Sequence, residues 1–393
     1  MLRPPAPHRG PRRVLRGAHG FPGRTRAGDP GDLRDLTGRD RPPARGADSN
    51  PASRFDRIRY EPPPEDAVDN DGFEPLEEVV RKTEVFRDPS RSILTRNESP
   101  DVPFDLSLNP YRGCEHGCSY CYARPTHEYL GLSAGLDFET RIFAKEDAPE
   151  LLEKELAKKS YRPQVLALSG VTDAYQPVER TLGITRRCLE VLVRFRNPVG
   201  VVTKSHLVTR DIDLLGTLAR HDAASVAMSI TTLDRELARR LEPRAARPDR
   251  RLDAIRAIAQ AGIPVGVLVA PVIPGLNDHE IPAILAAVKE AGATSAGYVL
   301  LRLPHGLKDL FEEWLDRHRP LARDKVLGRL RDLHGGRLYD PTYGKRMKGE
   351  GPLADQIASL FAVAARRAGL PKRSMALSTA AFRRPGPEQP SLF

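Results

Sequence analysis

The sequence predicts an α/β fold built from parallel strands and intervening helices, for two reasons. From residue 104 onward, short apolar or β-branched runs alternate with longer stretches in which apolar residues recur at helical spacing. The runs return about every 25 to 40 residues with one helix candidate between them, as the crossover connections of parallel strands require. Only the first interval, of about 60 residues, is longer. Six such units in roughly 200 residues fit an open, partial (β/α) barrel, and a doubly wound sheet is the alternative.

Each predicted strand is short, and several helix candidates end at residues that commonly terminate helices. The strands are expected at residues 104–108, 164–168, 199–203, 225–230, 264–270 and 297–301. The helices between them are expected at residues 148–159, 181–195, 210–220, 249–260 and 278–290. Pro198, Gly262 and Gly292 follow three of these helices, as proline and glycine commonly do. In a barrel and in a doubly wound sheet alike, reactive groups are expected at the C-terminal ends of the strands.

The segments that flank this core differ from it in composition. Residues 1–50 hold eleven Arg, no Lys and five Asp, which gives +6 of the chain's net charge of +10, together with eight Pro and eight Gly. Such a stretch cannot bury enough apolar surface to fold. The predicted organisation is a disordered tail over residues 1–53, an extended segment packed on the core over 54–103, the core barrel over 104–302, a helical extension over 303–372 and a flexible tail over 373–393.

Composition also excludes several classes of protein. The 393 residues are 40% apolar and 29% charged, which is ordinary for a soluble globular protein. No apolar run is long enough for a transmembrane helix, so no membrane association is expected, and the first residues lack the apolar segment of a secretory signal. Four cysteines are too few for a disulfide scaffold. Since three of them cluster in a chain without an export signal, a reducing, cytoplasmic location is expected.

The three clustered cysteines, Cys114, Cys118 and Cys121, follow the first predicted strand with the spacing C-x3-C-x2-C. Gly113 and Gly117 allow the tight turns that bring three thiolates to one centre. A [4Fe–4S] cluster normally takes four thiolates. Three of them leave one iron without a protein ligand, and an open coordination position marks a site that binds something further.

Structural zinc is the alternative for this loop. Zinc would need a fourth ligand, which His116 or His127 can supply. However, structural zinc sites usually present two separated pairs of ligands, and the sequence contains only the one local set. The pattern therefore favours an iron–sulfur cluster.

This spacing, with Tyr120 before the third cysteine and a βα repeat around it, resembles the radical SAM superfamily. The resemblance covers residues 104–302, about half of the chain. It implies that the three cysteines hold a [4Fe–4S] cluster whose remaining iron binds S-adenosylmethionine. It also implies an external one-electron reductant of the flavodoxin or ferredoxin type. The electron cleaves the sulfonium and gives methionine and a 5′-deoxyadenosyl radical, which abstracts hydrogen from a substrate.

The resemblance further implies contacts to S-adenosylmethionine at the ends of the later strands. Ser169 and Gly170 stand where the superfamily usually has a Gly-Gly-Glu-like motif, and either Asp173 or Glu179 supplies the acid for the methionyl amino group. The remaining candidates, for the methionine carboxylate, the ribose and the adenine, are Thr203, Lys204, Ser205, Ser229, Thr231 and Val269. Their hydroxyls and ammonium group suit oxygen atoms of the ligand. Ordinary capping of the following helices is the alternative for the acid and the hydroxyls.

Two further segments resemble the branch of the superfamily that contains spore photoproduct lyase. They are residues 241–244, of sequence LEPR, and residues 269–278, in which two prolines stiffen a loop near the expected adenine. The arginine-rich stretch, residues 239–256, holds seven Arg against three acids, a net charge of +4. It either binds nucleic-acid phosphates or forms ion pairs on a solvated helix surface.

The remaining cysteine, Cys188, lies among apolar residues of a predicted helix and is expected to be a small buried core residue. Spore photoproduct lyase uses a hydrogen-donating cysteine on a strand beyond the cluster, and residues 122–187 contain none. Thymine-dimer reversal by that route is therefore doubtful. Tyr175 and Tyr298 are considered as alternative hydrogen donors.

The sequence thus predicts a monomeric radical SAM enzyme whose substrate it does not identify. One alternative is a DNA repair photolyase-like or RNA-modifying radical enzyme, with nucleic acid as substrate. The other is a non-catalytic iron–sulfur protein for electron transfer or sensing, although simple ferredoxins do not need a βα repeat of this length.

Overall fold

A computed structural model describes residues 45–47, 49–55, 82–372 and 376–386. The first 44 residues of the predicted disordered tail lie outside the described residues. The described chain forms ten strands: β1 (Glu84–Arg87), β2 (Leu94–Arg96), β3 (Leu106–Leu108), β4 (Tyr111–Arg112), β5 (Arg141–Ala144), β6 (Leu166–Leu168), β7 (Val199–Thr203), β8 (Ala224–Ile230), β9 (Val265–Val272) and β10 (Ser295–Leu300).

Helices alternate with the later strands and then continue alone. The α-helices in the described residues are α1 (Asp137–Thr140), α2 (Ala148–Ala157), α3 (Glu179–Leu182), α4 (Ile184–Phe195), α5 (Ile212–Ala219), α6 (Arg235–Leu241), α7 (Pro248–Gln260), α8 (Ile281–Glu290), α9 (Leu307–His318), α10 (Pro320–Leu333) and α11 (Pro352–Arg367). None of the described helices is long and apolar enough to cross a membrane.

The main sheet has seven strands in the order β10-β9-β8-β7-β6-β3-β2. Six of them are parallel, and each of the six lies beside the next one along the chain, whereas β2 is antiparallel to β3 at the outer edge. A doubly wound sheet would reverse its strand order at a switch point. This order never reverses, so the predicted partial barrel of six parallel strands is confirmed.

Crossovers between parallel strands are right-handed, so the helices of a singly wound sheet all lie on its outer face. The strands are therefore buried on both faces and are almost wholly apolar, as β7 (VGVVT) and β9 (VGVLVAPV) show. On the outer face, α4 turns Ile184, Cys188 and Leu192 into the core with no exposed area. This position confirms that Cys188 is a small buried core residue.

The C-terminal helices cover the open side of the barrel. Phe311 and Trp314 on α9 stack with their ring centroids 5.7 Å apart, in an apolar cluster that also contains Cys118 and Tyr120. After α11 the chain runs along the edge of β10, where the backbone N–H of Ala296 donates to the carbonyl oxygen of Pro371 over 3.0 Å. The extension therefore closes one edge of the sheet, as β2 closes the other.

A second sheet, of order β1-β5-β4, was not predicted from the sequence. Strand β1 is exposed along its whole length and β4 has two residues, so neither gives an apolar run that a pattern search detects. The cysteines follow β4 directly, and this small sheet fixes where their loop begins. Helix α6 was also missed because it is short and rich in arginine.

The structure differs from the prediction in parts of both tails. The backbone N–H groups of Gly46 and Ala47 donate to the Glu139 carboxylate over 3.0 and 2.7 Å, although they fall within the predicted disordered tail. Residues 376–386 fall within the predicted flexible tail, but Phe382 packs on Tyr161 with ring centroids 5.8 Å apart. Individual hydrogen bonds and ring contacts order these stretches. The average composition of a segment does not reveal such contacts.

Candidate functional site at the cysteine loop

Cys114, Cys118 and Cys121 are free thiols that line a single cavity of about 1490 Å³. Two glycines shape their loop, because Gly113 and Gly117 have positive φ angles of 77° and 65°. A Cβ atom on Gly113 would lie 2.9 Å from the carbonyl oxygen of Phe138, and one on Gly117 would lie 2.5 Å from the Glu139 carboxylate. Only glycine fits at either position, so these turns hold the three cysteines at one cavity wall.

The three thiols must lose their protons before they can bind a metal. Burial raises the pKa of Cys114, Cys118 and Cys121 above the ordinary value for a thiol. Ligation requires thiolates, so a bound metal centre must displace these protons and offset the cost of burying charge.

The donor set fits a cluster better than a single metal ion. In the part of the chain that the structure describes, no three His, Cys, Asp or Glu side chains are arranged to hold one ion. Of the two candidate fourth ligands, His116 Nδ1 lies 3.4 Å from Asp173, while His127 Nε2 lies 3.0 Å from the carbonyl oxygen of Arg141 and its Nδ1 is buried without a hydrogen-bond partner among the described residues. A cluster offers a separate iron to each thiolate. Three thiols around one cavity therefore suit an iron–sulfur cluster.

A buried ion pair holds the cysteine loop from behind. Arg124 and Glu139 have no exposed area and their side chains approach to 2.5 Å. Arg124 also donates to the carbonyl oxygen of Cys118 over 2.9 Å, while Glu139 accepts the backbone N–H groups of Gly46 and Ala47. Sequence analysis missed this pair, because nothing in the motif distinguishes Arg124 from a surface arginine.

A second buried carboxylate, Glu242, gathers residues from two strand ends, from α7 and from the cysteine loop. The Tyr120 hydroxyl donates to Glu242, and Thr231 Oγ1 lies 2.5 Å from the same carboxylate. Lys204 Nζ lies 3.3 Å from Glu242, and Arg251, which is also buried, forms an ion pair with it. Glu242 belongs to the LEPR segment, but the sequence did not indicate that it would be the centre of a network.

Electrostatics keeps Glu242 ionised in spite of its burial. Burial by itself would raise the pKa of this carboxyl group, but the nearby charges of Arg251 and Lys204 outweigh it and lower the pKa below the ordinary value. The same carboxylate, together with burial, raises the pKa of Tyr120 and keeps its phenol protonated. Tyr120 is therefore a fixed hydrogen-bond donor that ties the cysteine loop to the barrel.

Asp173 also lines the cavity and adjoins this network through Lys204. It accepts hydrogen bonds from Thr203 Oγ1 and from the backbone N–H of Lys204, both over 2.8 Å, and from the backbone N–H of Tyr175 over 2.9 Å. Burial opposes its ionisation, but His116 and these donors lower its pKa below the ordinary value. An ionised carboxylate thus stands beside the three thiols, at the C-terminal ends of β6 and β7.

The turn after β6 is held by a residue that sequence analysis also missed. Asn109 Oδ1 accepts the backbone N–H groups of Gly170 and Val171 over 2.8 and 3.0 Å. Ser169 adopts a positive φ of 82° in this turn, and its hydroxyl accepts the backbone N–H of Ala174. Ser169 and Gly170 consequently line the cavity beside the cysteines.

Comparison with known proteins agrees with this geometry. Residues 108–288 match the radical SAM superfamily. An uncharacterised protein of Mycobacterium tuberculosis (strain ATCC 25618 / H37Rv) is 35% identical over 263 residues, which cover 66% of this chain and 75% of the relative. An uncharacterised protein of Methanocaldococcus jannaschii is 28% identical over 200 residues, 51% of this chain and 71% of the relative. The chain belongs to the radical SAM superfamily.

Among solved structures, the fold is similar to that of spore photoproduct lyase complexed with dinucleoside spore photoproduct. The TM-score is 0.55 with 15% sequence identity, over 73% of this chain and 81% of that one. This likeness concerns the fold.

The radical SAM barrel brings only some of the predicted site residues to its cavity. Those that line it together with the three cysteines are Tyr120, Ser169, Gly170, Asp173, Thr203, Lys204 and Ser229. Of the two tyrosines considered as hydrogen donors, Tyr298 lines this cavity, whereas Tyr175 lines a separate pocket.

Four predicted site residues do not line the cavity. Glu179 is fully buried and bonded to the Tyr111 hydroxyl and to Arg210. Ser205 caps the 3-10 helix that follows β7, accepting the backbone N–H of Leu207. Thr231 lies behind the cavity wall, and Val269 points into the core while its neighbours Leu268 and Ala270 face the cavity. Side chains alternate along a strand, so a prediction one residue out of register selects the wrong face.

The arginines of the arginine-rich stretch form ion pairs in the structure. Each of its seven arginines lies within ion-pair distance of a carboxylate, as in Arg244 with Glu115 over 3.0 Å and Arg250 with Asp253 over 3.3 Å. Arg251 is buried against Glu242 and is a structural residue of the site. The seven arginines share five carboxylates, so the stretch keeps a net positive charge.

Proposed function

We propose that this protein is a radical SAM enzyme that reductively cleaves S-adenosylmethionine at a [4Fe–4S] cluster held by Cys114, Cys118 and Cys121. The observation that carries the proposal is that three free, largely buried thiols share one cavity with an ionised carboxylate, Asp173, and with Lys204. When bound, the cluster supplies the electron that breaks the sulfonium bond, which gives methionine and a 5′-deoxyadenosyl radical.

The chain's own residues present a polar wall to the methionine part of the ligand. The carboxylate of Asp173 already accepts hydrogen bonds from Thr203, Lys204 and Tyr175, so it attracts the methionyl ammonium group through its charge. Ser169 and Gly170 line the cavity on the adjacent turn and are the proposed neighbours of that group.

Lys204 has to exchange a contact in order to bind the methionine carboxylate. Its Nζ atom lies 2.8 Å from Ser229 Oγ, 3.0 Å from the carbonyl oxygen of Ala270, and 3.3 Å from both Thr231 Oγ1 and Glu242. An ammonium group has three N–H donors, so it already has more acceptors than donors. The two contacts at 3.3 Å are the longest, and a ligand carboxylate can replace one of them. Ser229 is the proposed neighbour of the ribose, since it lines the cavity between Lys204 and β9.

Anaerobic reconstitution tests this proposal. The wild-type protein is expected to absorb broadly near ~400 nm, as thiolate-ligated iron–sulfur clusters do, and to form 5′-deoxyadenosine with S-adenosylmethionine and dithionite. Cys118→Ala is expected to lose both signals. Cys188→Ala is the matched control, because Cys188 is equally buried but lies on α4, outside the cavity, and it is expected to keep both.

Two results would contradict the proposal in different ways. A colourless protein that binds only zinc would contradict the cluster. A full cluster without 5′-deoxyadenosine would contradict cleavage and favour the non-catalytic electron-transfer or sensor alternative. We further propose that a flavodoxin- or ferredoxin-type protein supplies the electron in the cytoplasm, and that the enzyme is a monomer.

A further inference from the structure

The cavity is larger than the proposed cofactors require. Small-molecule pockets usually enclose about 300–1,000 Å³, and this one encloses about 1490 Å³. Beyond the residues proposed to hold the cluster and S-adenosylmethionine, it continues between β10 and α11, past Tyr298 and Phe361. We call this part the outer half of the cavity, and it is where a second ligand has room to bind.

The outer half carries an excess of positive charge. Arg302, Lys348, Arg366 and Lys372 line it, and none of them forms an ion pair with any described residue. Asp101, which also lines this part, is already bonded to Arg346 over 2.5 Å and to the backbone N–H of Gly344 over 2.7 Å. The four cations therefore have no ion-pair partner among the described residues and would attract an anionic ligand.

Arg302 is held in a position suited to binding an anion. It follows the C-terminal end of β10, and its guanidinium carbon lies 4.6 Å from the centre of the Tyr122 ring. Tyr122 is itself fixed, because its hydroxyl donates to the carbonyl oxygen of Gly170 over 2.8 Å. The Nε atom of Arg302 is buried without a hydrogen-bond partner. A guanidinium stacked on a ring keeps its edge free for two parallel hydrogen bonds, which phosphate oxygens accept well.

Apolar surface lies next to these cations. The rings of Tyr298 and Phe361 are 4.8 Å apart and form one wall of the outer half. A ligand that satisfies both surfaces has an anionic group at one end and an apolar, ring-sized body at the other. The arginines of the arginine-rich stretch each lie within ion-pair distance of a carboxylate, unlike the four cations of the outer half.

We propose that the outer half of the cavity binds the substrate, and that the substrate is a small organic phosphate with an apolar body. Its phosphate contacts Arg302, with Lys348 and Arg366 at the rim, and its apolar body packs on Tyr298 and Phe361. This inference rests on the proposed function, since the radical formed next to the cysteines would act on the apolar body. It assigns the substrate class that the sequence does not identify.

Calorimetric titration with 1-naphthyl phosphate, 1-naphthol and inorganic phosphate tests the site in reconstituted protein with S-adenosylmethionine present. Naphthyl phosphate is expected to bind at least tenfold more tightly than either of the other two probes. Arg302→Gln and Lys348→Gln are each expected to weaken its binding about tenfold, the loss of one charge-assisted hydrogen bond. Phe361→Ala is expected to weaken naphthyl phosphate binding but not that of inorganic phosphate.

The matched control is Arg180→Gln, which removes an exposed arginine from the separate basic pocket near His116. It is expected to bind naphthyl phosphate as the wild type does. Equal affinity of the wild type and Arg302→Gln for naphthyl phosphate would overturn the proposal, and so would an equal loss of affinity in Arg180→Gln. It would also be overturned if a single-stranded oligonucleotide bound more tightly than naphthyl phosphate, with a salt dependence that indicates contacts to several phosphates. Failure of the proposed function is seen separately, as absence of 5′-deoxyadenosine in the wild type while naphthyl phosphate still binds.

Discussion

Replacing Glu242 by glutamine tests whether one buried carboxylate holds the site together. The substitution keeps the shape of the side chain and leaves groups that can bond Tyr120 and Thr231, but it removes the negative charge that Arg251 and Lys204 share. Arg251 then stays buried without a counter-charge. Breaking a buried pair in this way costs about 3–5 kcal/mol, so we expect the free energy of unfolding to fall by that amount.

The measurement is the urea unfolding midpoint of Glu242→Gln and the wild type, both without cluster. The control is Glu236→Gln, whose carboxylate pairs with Arg239 and Arg240 on the surface, where solvent screens the charges. It is expected to unfold with the wild type. If Glu242→Gln also unfolds at the wild-type midpoint, Glu242 does not organise the site.

The pH dependence gives a second readout for Glu242. Its pKa in the folded protein lies below the ordinary 4.5, so the stability that its charge contributes is present above pH 4.5 and is lost as the pH falls below it. The difference in unfolding free energy between wild type and Glu242→Gln is therefore expected to be constant above pH 4.5 and to shrink in more acidic solution. A difference that grows on acidification would refute the assignment of charge.

Three other perturbations have expected outcomes. Arg124→Ala leaves Glu139 buried without its partner and is expected to lower the free energy of unfolding by about 3–5 kcal/mol in urea titration. Burial lowers the pKa of His127 from 6.5 to about 4, so the wild type is expected to lose about 1.4 kcal/mol of stability per pH unit as the pH falls through that interval, and His127→Gln is expected to lack this slope. Arg346→Gln breaks the pair with Asp101 and is expected to speed chymotrypsin cleavage after the exposed Tyr343.

Two of these substitutions, Arg124→Ala and Arg346→Gln, have a matched control. Arg141→Ala removes a half-exposed arginine 3.8 Å from Asp137 and is expected to leave the unfolding midpoint unchanged, unlike Arg124→Ala. Lys345→Gln removes a surface pair with Glu350 in the same loop as Arg346 and is expected to leave the cleavage rate unchanged. If a test variant and its control had the same unfolding midpoint or the same cleavage rate, the role assigned to the buried residue would be contradicted. The role of His127 would be contradicted if His127→Gln kept the wild-type dependence of stability on pH.

The repeating part of the fold was predictable because its signal is local and periodic. Strand β7 lies where the apolar run at residues 199–203 placed it, and β8 and β9 differ from prediction by one or two residues at their ends. The small sheet was not predictable, since β1 and β4 make backbone pairings with β5 that leave no apolar pattern in their own sequences.

The same distinction holds within the site. The cysteines and Asp173 could be found because reactive side chains follow strands directly in sequence. Glu242 and Glu139 could not, because each meets its arginine only after the chain has folded, and an acidic residue in a polar segment has the same appearance whether it is buried or exposed. Val269 does not line the cavity for a third reason, since a loop sets which strand residue faces inward and a one-residue difference reverses it.

The two buried carboxylates hold the cysteine loop independently of the cysteines. Glu139 joins the loop, through Arg124, to residues 46–47, and Glu242 joins it, through Tyr120, to the ends of β7 and β8. Neither connection passes through a cysteine sulfur. The loop is therefore held at the cavity by charge pairs that involve none of the proposed cluster ligands. For that reason Cys118→Ala is expected to lose the cluster and still unfold in urea near the wild-type midpoint measured without cluster, whereas a structural metal site would lose its fold with its metal.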